Sequence, residues 1–461
     1  MPRPIVLVHG YSDTGLSFLK WKEELTARGW ADDEVTIVNY KSLSNEITIK
    51  DIAEGFDRAL RGCPKIGTDG EFDAIVHSTG MLVLRQWLVK YAHRRDRLKH
   101  LIGLAPATFG SPLAHKGRGF LGAVFKGNDE IGPDFMEVGD LVLDGLELGS
   151  RFTWDLTHAD LLGPTPGFDY GADTPFAFVF CGTSSYDGLR ALVNEPGTDG
   201  TVRWAGCGLN TQKIVIDLTR EATGPEERFR NADIGSAGVL PIPFWPIAGR
   251  NHGTILTEPE PTLVTLVTRA LDVTDAGSFA DWTAQAAALT GPARTGIDEW
   301  QQFVVRALDE RGDPIPDYYF DLIAVDGSGT VRPLATARLV DVHAYGADKS
   351  LRCFHVNLTA LKAAGGGEYP ALRVRVMAST GTQLVGYRGV QAGSAETGGT
   401  PSGVWDAEID LPATFGAQGV TLLYPFTTTF VELYLNRDPT PFTGLPNDVC
   451  YVLPAAGEQH R

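Results

Sequence analysis

Apolar and polar residues follow one another along the first 112 residues in blocks that predict alternating strands and helices. Four short apolar runs have the character of buried strands, at 4–9, 34–39, 72–77 and 100–105. Three segments between them are predicted to be helical, at 16–29, 49–61 and 79–92. Since parallel strands need crossover connections, this alternation predicts a parallel sheet with helices on both faces.

The alternation breaks after residue 112. From about 113 to 174 no strand is predicted, and the stretch is too long for a structureless loop in a compact domain. It contains a predicted helix from Asp134 to Leu148, with acidic residues on one face and apolar residues on the rest. Two interpretations stay open: a surface helix with a solvated acidic face, or a lid whose apolar side covers a pocket.

The remaining chain predicts the end of the sheet and then a different kind of domain. Strands at Lys213–Leu218 and near Phe244 are expected to complete the sheet, before a closing helix at about Glu258–Leu271. Residues 273–296 predict a connector with a short Ala-rich helix. From about Ile297, short β-like runs between Gly, Pro and Asp turns predict an antiparallel β-sandwich. The expected division is an α/β domain at 1–272 with an insertion at about 113–174, a connector at 273–296, and a β-sandwich domain of unknown role at 297–461.

One serine stands where a nucleophile would. Residues 76–80 are Val-His-Ser-Thr-Gly, between a predicted strand and a predicted helix. A serine on such a sharp turn holds its hydroxyl above the sheet edge, beside the first N–H groups of the helix. The segment matches the nucleophile pattern G-x-S-x-G except that Val76 replaces the first glycine. The alternative for Ser78 is a plain helix cap.

Two further segments accompany this serine. His9-Gly10 ends the first predicted strand, and residues 104–114 contain Leu-Ala-Pro followed by Gly-Ser-Pro-Leu-Ala. In this order, over roughly residues 1–272, the segments resemble lipases and esterases of the α/β-hydrolase superfamily, in the branch that includes GPI inositol-deacylase-like proteins. The resemblance implies an α/β fold with a mostly parallel sheet and a helical cap insertion, here followed by the all-β domain.

The resemblance also implies site residues. The catalytic order Ser, Asp, His is expected, with backbone N–H groups of Tyr11 and Thr79 forming the oxyanion hole. The histidines considered as the base are His158, His252, His343 and His355. His252 is favoured because it follows the last strand predicted for the sheet. Asp199, in a Gly-Thr-Asp-Gly-Thr-Val turn, is the favoured acid, and Asp187 in the same long loop is its rival.

Composition narrows the function classes. With 461 residues and 43% apolar content, the chain can bury a large core in more than one domain. The formal net charge of −17 opposes general binding to nucleic acid or to a strongly anionic membrane. The cysteines are scattered, without a Cys-x-x-Cys or a metal-ligand spacing, which excludes a disulfide scaffold but not individual disulfides. We expect no metal and no organic cofactor.

The expected function follows from these features. We expect a serine-dependent carboxylic ester hydrolase that forms an acyl-serine, with an acyl ester or lipid as substrate. An acyltransferase with the same triad and a catalytically silent hydrolase fold used for binding are the alternatives. No Sec-type signal and no apolar run of ~20 residues is found, so we expect a cytoplasmic protein, or a secreted one if a signal was removed. The sequence leaves the natural substrate and the oligomeric state open.

Overall fold

The structure, a computed structural model, describes residues 2–114, 139–163, 167–168, 173–219, 242–325, 331–334, 339–382, 385–389, 397–398, 404–410 and 422–439. The chain divides into two compact units. The first unit comprises Met1–Gln212, Ala237–Gln302 and Pro425–Thr428. The second comprises Lys213–Ser236, Phe303–Tyr424 and Thr429–Arg461.

A parallel sheet organises the first unit. The strands up to residue 250 are β1 (Ile5–Val8), β2 (Val35–Val38), β3 (Phe72–His77), β4 (Leu98–Leu104), β5 (Phe176–Gly182), β6 (Thr211–Asp217) and β7 (Phe244–Ile247). All except β6 join one sheet in the order β2-β1-β3-β4-β5-β7, and every pairing in it is parallel. Side chains of β1, β3 and β5 are buried throughout, because helices cover a parallel sheet on both faces.

The helices begin at sequence signals that cap them. In chain order they are α1 (Leu19–Thr26), α2 (Ile49–Gly62), α3 (Gly80–Lys90), α4 (Asp140–Leu146), α5 (Arg151–Asp160), α6 (Thr254–Thr257), α7 (Pro261–Ala270), α8 (Ala276–Thr295) and α9 (Leu358–Ala364). Thr48 and Asp51 form a capping box at the start of α2, since each side chain accepts the backbone N–H of the other. Asp275 and Ser278 cap α8 in the same way.

The second unit is rich in antiparallel strands. The strands from residue 300 onward are β8 (Trp300–Asp309), β9 (Tyr318–Val325), β10 (Val331–Pro333), β11 (Val340–Ala344), β12 (Leu351–Asn357), β13 (Ala371–Ser379), β14 (Val385–Gly389), β15 (Thr397–Gly398), β16 (Val404–Asp410) and β17 (Thr428–Pro439). One sheet has the order β10-β9-β13-β16 and another the order β11-β12-β8-β17-β14-β15. Val376 of the former and Leu433 of the latter belong to one buried hydrophobic core.

The predicted fold class, an α/β unit followed by an all-β region, is confirmed, but two elements differ from expectation. The strand expected at Lys213–Leu218 exists as β6 and pairs with β17 instead of completing the parallel sheet. Residues 273–296 hold the 20-residue helix α8 instead of a connector with a short helix. This helix packs against the sheet through Trp282, whose ring lies 4.5 Å from that of Phe178 and 5.7 Å from that of Trp245.

The expected insertion at about 113–174 is described in part. Of the helix predicted at Asp134–Leu148, the structure shows α4, and residues 115–138 lie outside the described ranges. Helix α5 is joined to α3 by a buried ion pair, in which Arg85 donates to Asp160 at 2.7 and 2.9 Å. Among the helices that the structure describes, none is long and apolar enough to span a membrane.

Candidate active site

Ser78 lies on a strained turn between β3 and α3. Its φ of 51° is in the left-handed region, which costs a residue with a side chain about 1–3 kcal/mol. The turn is held by its backbone, because Ser78 N donates to Leu104 O at 3.3 Å and Ser78 O accepts from Ala107 N at 3.1 Å. Thr79 then occupies the N-cap position of α3, which begins at Gly80. The backbone therefore holds the serine at the carboxyl end of β3.

Two glycines let the end of β1 approach this turn. A Cβ on Gly10 would lie 2.8 Å from Ser78 Cβ, and a Cβ on Gly80 would lie 2.7 Å from the carbonyl oxygen of Val8. Val76, where the sequence pattern has a glycine, is fully buried and stands in register with Gly103 of β4. The valine has room beside Gly80, where an added Cβ would lie 3.3 Å from Val76 Cβ.

Asp199 and His252 form a buried hydrogen-bonded pair. His252 Nδ1 lies 3.0 Å from Asp199 Oδ2, and His252 N donates to Asp199 O at 3.0 Å. The other carboxylate oxygen, Oδ1, accepts from the backbone N–H groups of Thr201 and Val202. A carboxylate only accepts, so Nδ1 of His252 carries the proton in this pair, and in the neutral imidazole Nε2 is then the nitrogen with the lone pair. This is the tautomer that a general base needs.

One cavity of about 250 Å³ lies at the carboxyl ends of the strands, and its lining includes Ser78, His252, Tyr11 and Thr79. Leu143 and Leu146 of α4 and Leu256 of α6 give it an apolar wall. Its described lining consists of Tyr11, Ser12, Asp13, Ser17, His77, Ser78, Thr79, Ser111, Ala114, Leu143, Leu146, Thr201, His252, Gly253, Leu256 and Thr257. Crevices in open α/β sheets form at this end of the strands.

His9 shapes the turn that leads to Tyr11. Its Nδ1–H donates to Gly10 O at 2.8 Å, while its Nε2 accepts from Tyr40 N at 3.1 Å and its ring stacks on the Tyr40 ring. Burial lowers the pKa of His9, so the ring is neutral in the folded chain. Since the peptide group is trans, the Gly10 carbonyl that faces His9 directs the N–H of Tyr11 to the opposite side.

The other residues considered as the acid or the base do not lie at this site. Asp187 is exposed at the start of a 3₁₀ turn, whereas Asp199 is fully buried against His252. His158 is on α5 and bonds to the Trp154 carbonyl within its own helix. His343 and His355 are in β11 and β12 of the second unit. The structure therefore brings together Asp199 with His252, and not the alternatives.

Two residues that contact the Asp199–His252 pair, namely His77 and Cys181, were not identified from the sequence. His77 Nε2 lies 2.9 Å from the His252 carbonyl oxygen, and Cys181 Sγ donates to Asp199 Oδ2 at 3.6 Å. Burial, followed by the nearby charge of His252, lowers the pKa of His77 to about 3. Burial also raises the pKa of the Cys181 thiol. The position of His77 next to Ser78 was the one sequence signal that could have marked His77 as a site residue. Cys181 had no such signal, because it is distant in sequence from every other site residue.

No group of three or more His, Cys, Asp or Glu side chains with a metal-binding arrangement is found in the ranges that the structure covers. The four cysteines in those ranges, Cys63, Cys181, Cys207 and Cys353, are free.

The parallel sheet, the strained serine turn and the loops at the strand ends define the class: this is an α/β-hydrolase fold with a C-terminal β-rich unit. The chain is similar over nearly its whole length to the phospholipase PlaB from Legionella pneumophila, with a TM-score of 0.73 and 23% identity, covering 98% of this chain and 97% of that one. The structure of PlaB in complex with thio-NAD gives a TM-score of 0.74 and 22% identity, covering 97% of each chain.

A weaker likeness is to the mature lipase BlEst2 from Bacillus licheniformis, with a TM-score of 0.38 and 14% identity over 58% of this chain and 92% of that one. No protein-family model matches the chain, and no curated protein sequence matches it. At these identities the likeness to PlaB establishes the shared fold. The narrower branch suggested by the sequence motifs stays a prediction.

Proposed function

We propose that this protein is a serine-dependent carboxylic ester hydrolase that acts on acyl esters, lipids among them. The observation that carries the proposal is the Asp199–His252 pair, hydrogen-bonded at 3.0 Å, beside the cavity that Ser78 also lines. A serine hydroxyl is a poor nucleophile near neutral pH and needs such a base. The positive φ of Ser78 supports the same role, because strain of this kind concentrates at functional positions.

The proposed first half of the reaction acylates the serine. His252 Nε2 takes the proton of Ser78 Oγ as this oxygen attacks the ester carbonyl carbon. The carbonyl oxygen becomes an oxyanion, which accepts hydrogen bonds from the backbone N–H groups of Tyr11 and Thr79. Asp199 holds the imidazole in its tautomer and stabilises the imidazolium. When the intermediate collapses, the alcohol leaves with the proton from His252.

The second half returns the free enzyme. His252 takes a proton from water as the water oxygen attacks the acyl-serine carbonyl. Collapse of this intermediate breaks the bond to Ser78 Oγ, which recovers its proton from His252, and a carboxylic acid is released. The apolar wall formed by Leu143, Leu146 and Leu256 suits an acyl chain. The likeness to PlaB, a phospholipase, supports a lipid ester as substrate.

Replacing Ser78 with alanine tests the mechanism. We expect a fluorophosphonate probe to label the wild type but not Ser78→Ala, and turnover of p-nitrophenyl esters to fall by roughly 10⁴-fold or more. Ser17→Ala is the matched control, because this serine lines the same cavity without a proposed role, and its labelling should be normal. Undiminished turnover in Ser78→Ala would rule out the serine mechanism.

Product analysis separates the remaining alternatives. With a long-chain ester and a competing alcohol, a hydrolase releases free acid, whereas an acyltransferase forms the new ester. A silent fold gives neither product and no probe labelling. Comparing acetate with longer acyl chains, with and without emulsion, then distinguishes esterase from lipase.

A further inference from the structure

His77 precedes the candidate nucleophile but its contacts are with the candidate base. Its Nε2 lies 2.9 Å from the main-chain carbonyl oxygen of His252, across 175 residues of sequence. The two rings are 4.7 Å apart, centroid to centroid, and tilted by 47°. His77 is 7% exposed, so these contacts are made away from bulk water.

The hydrogen bond fixes the tautomer of His77. A carbonyl oxygen only accepts, so Nε2 of His77 must carry the proton. The other ring nitrogen, Nδ1, is buried without a hydrogen-bond partner among the described residues. It faces Gly10, where an added Cβ would lie only 3.1 Å away. A proton on Nδ1 would find no acceptor there, so the ring stays neutral, in line with its depressed pKa.

His252 is thus held at three atoms by two residues. Asp199 binds its backbone nitrogen and its Nδ1, both at 3.0 Å. His77 binds its carbonyl oxygen, which belongs to the peptide that leads into Gly253. The N–H of the same peptide, on Gly253, donates to Asn251 Oδ1 at 3.1 Å, so His77 holds the carbonyl end of a peptide whose nitrogen end is also bonded. The contact from His77 therefore restrains the side of His252 that Asp199 does not reach.

We propose that His77 is a positioning residue, which anchors the main chain of His252 through its Nε2–H and, by staying neutral, leaves the transferred proton to His252 alone. This inference rests on the proposed role of His252 as the general base. It adds a residue that lines the same cavity and acts on the reacting atoms only through His252. Its effect is expected on kcat, because misplacing a catalytic group by about 1 Å costs roughly 10²-fold in rate.

Three substitutions separate the hydrogen bond from the bulk of the ring. His77→Gln can place an amide N–H near the position of Nε2, whereas the shorter His77→Asn cannot reach the His252 carbonyl. His77→Leu removes the donor altogether. We expect kcat to fall roughly 10- to 100-fold in His77→Asn and His77→Leu, with KM within about twofold, and to recover largely in His77→Gln. The pH dependence of kcat/KM should keep a single acid limb, because His77 does not titrate in that range.

His100 provides the matched control. It is also buried, and its Nε2 bonds to the carbonyl oxygen of Val273 at 2.7 Å, while its Nδ1 bonds to Asp73. His100→Leu should lower the thermal midpoint and leave kcat of the folded fraction within about twofold. If the His77 variants lost only stability, as this control does, the positioning role would be overturned.

The comparison of Gln with Asn decides the proposal even if His77→Leu fails to fold. Equal kcat in His77→Gln and His77→Asn would contradict an anchoring hydrogen bond. The result for Ser78→Ala keeps the two hypotheses apart: full activity in Ser78→Ala refutes the serine mechanism itself. An inactive Ser78→Ala beside fully active His77 variants refutes only the role of His77.

Discussion

Gly10 is a residue at which one added carbon would directly contact two residues of the proposed site. A Cβ there would lie 2.8 Å from Ser78 Cβ and 3.1 Å from His77 Nδ1. Neither atom is the far end of a flexible side chain, so the turn itself would have to move. We expect Gly10→Ala to lower kcat/KM for p-nitrophenyl esters by at least roughly 10-fold, and the thermal midpoint with it.

The control for Gly10 is a glycine in open space. Gly55 lies inside α2 with nothing within 4 Å of its added Cβ. Gly55→Ala should leave kcat/KM unchanged and stabilise the protein by about 0.5–1 kcal/mol, because alanine suits a helix interior better. An active, normally stable Gly10→Ala enzyme would show that the end of β1 does not constrain the site.

Single residues of the site could be predicted where their signals are local. Ser78 is marked by the residues beside it, and His252 and Asp199 by loops that follow predicted strands. The contact between His77 and His252, by contrast, joins residues 175 apart, and nothing in either local sequence indicates it. Local patterns indicate the candidate site residues, but the contacts that hold these residues in place depend on the tertiary fold.

At the scale of elements, Trp282 is one of the side chains through which α8 packs against the first unit, together with Phe279, whose ring lies 5.7 Å from that of Phe176. Trp282 is 4% exposed, packs edge-on against Phe178 and Trp245, and donates through Nε1 to the Leu266 carbonyl at 3.0 Å. We expect Trp282→Ala to reduce the free energy of unfolding by about 3–5 kcal/mol, measured by urea denaturation.

Leu289, on the same helix but 45% exposed, is the comparison for Trp282. Leu289→Ala removes a side chain that is half in water already, so its cost should stay below about 1 kcal/mol. Similar losses in both variants would mean that α8 is held by its whole length and not by Trp282.

The elements themselves were predictable to different degrees. The predicted ends of four elements, β1, β3, β4 and α2, agree with the structure to within a few residues. Each of these elements is a short apolar or amphipathic block with clear ends. The length of helix α8 was underestimated. Gly291 and Pro292 predict a helix end at that point, but in the structure the helix continues past both residues. Strand β6 was found, but the choice of its partner β17 depends on residues more than 200 positions away.

At the scale of the whole molecule, buried neutral histidines make stability depend on pH. The pKa of His77 is lowered to about 3 and that of His9 is also lowered, in both cases first by burial. In the unfolded chain both would titrate near 6.5. Below that value the unfolded state binds more protons than the folded state, so stability falls as pH falls.

Urea denaturation at pH 7.5, 6, 5 and 4 measures this dependence. We expect little change above about pH 6.5 and a progressive loss below it, with a limiting slope of about 1.4 kcal/mol per pH unit for each such histidine. His77→Gln should show a shallower slope between pH 6 and 4. A wild-type midpoint that stays constant from pH 7.5 to 4 would contradict the neutral, buried state of His77.

The left-handed backbone of Ser78 has a consequence for anyone who evolves this chain in the laboratory. Glycine adopts such dihedral angles without strain, so a library sorted only for heat resistance would enrich chains in which glycine has replaced Ser78 and its hydroxymethyl side chain. Under the serine mechanism proposed above, the most heat-resistant variants from that screen would be inactive. Thermal stability and catalytic turnover therefore have to be selected together, because at position 78 stability favours glycine and the proposed mechanism requires serine.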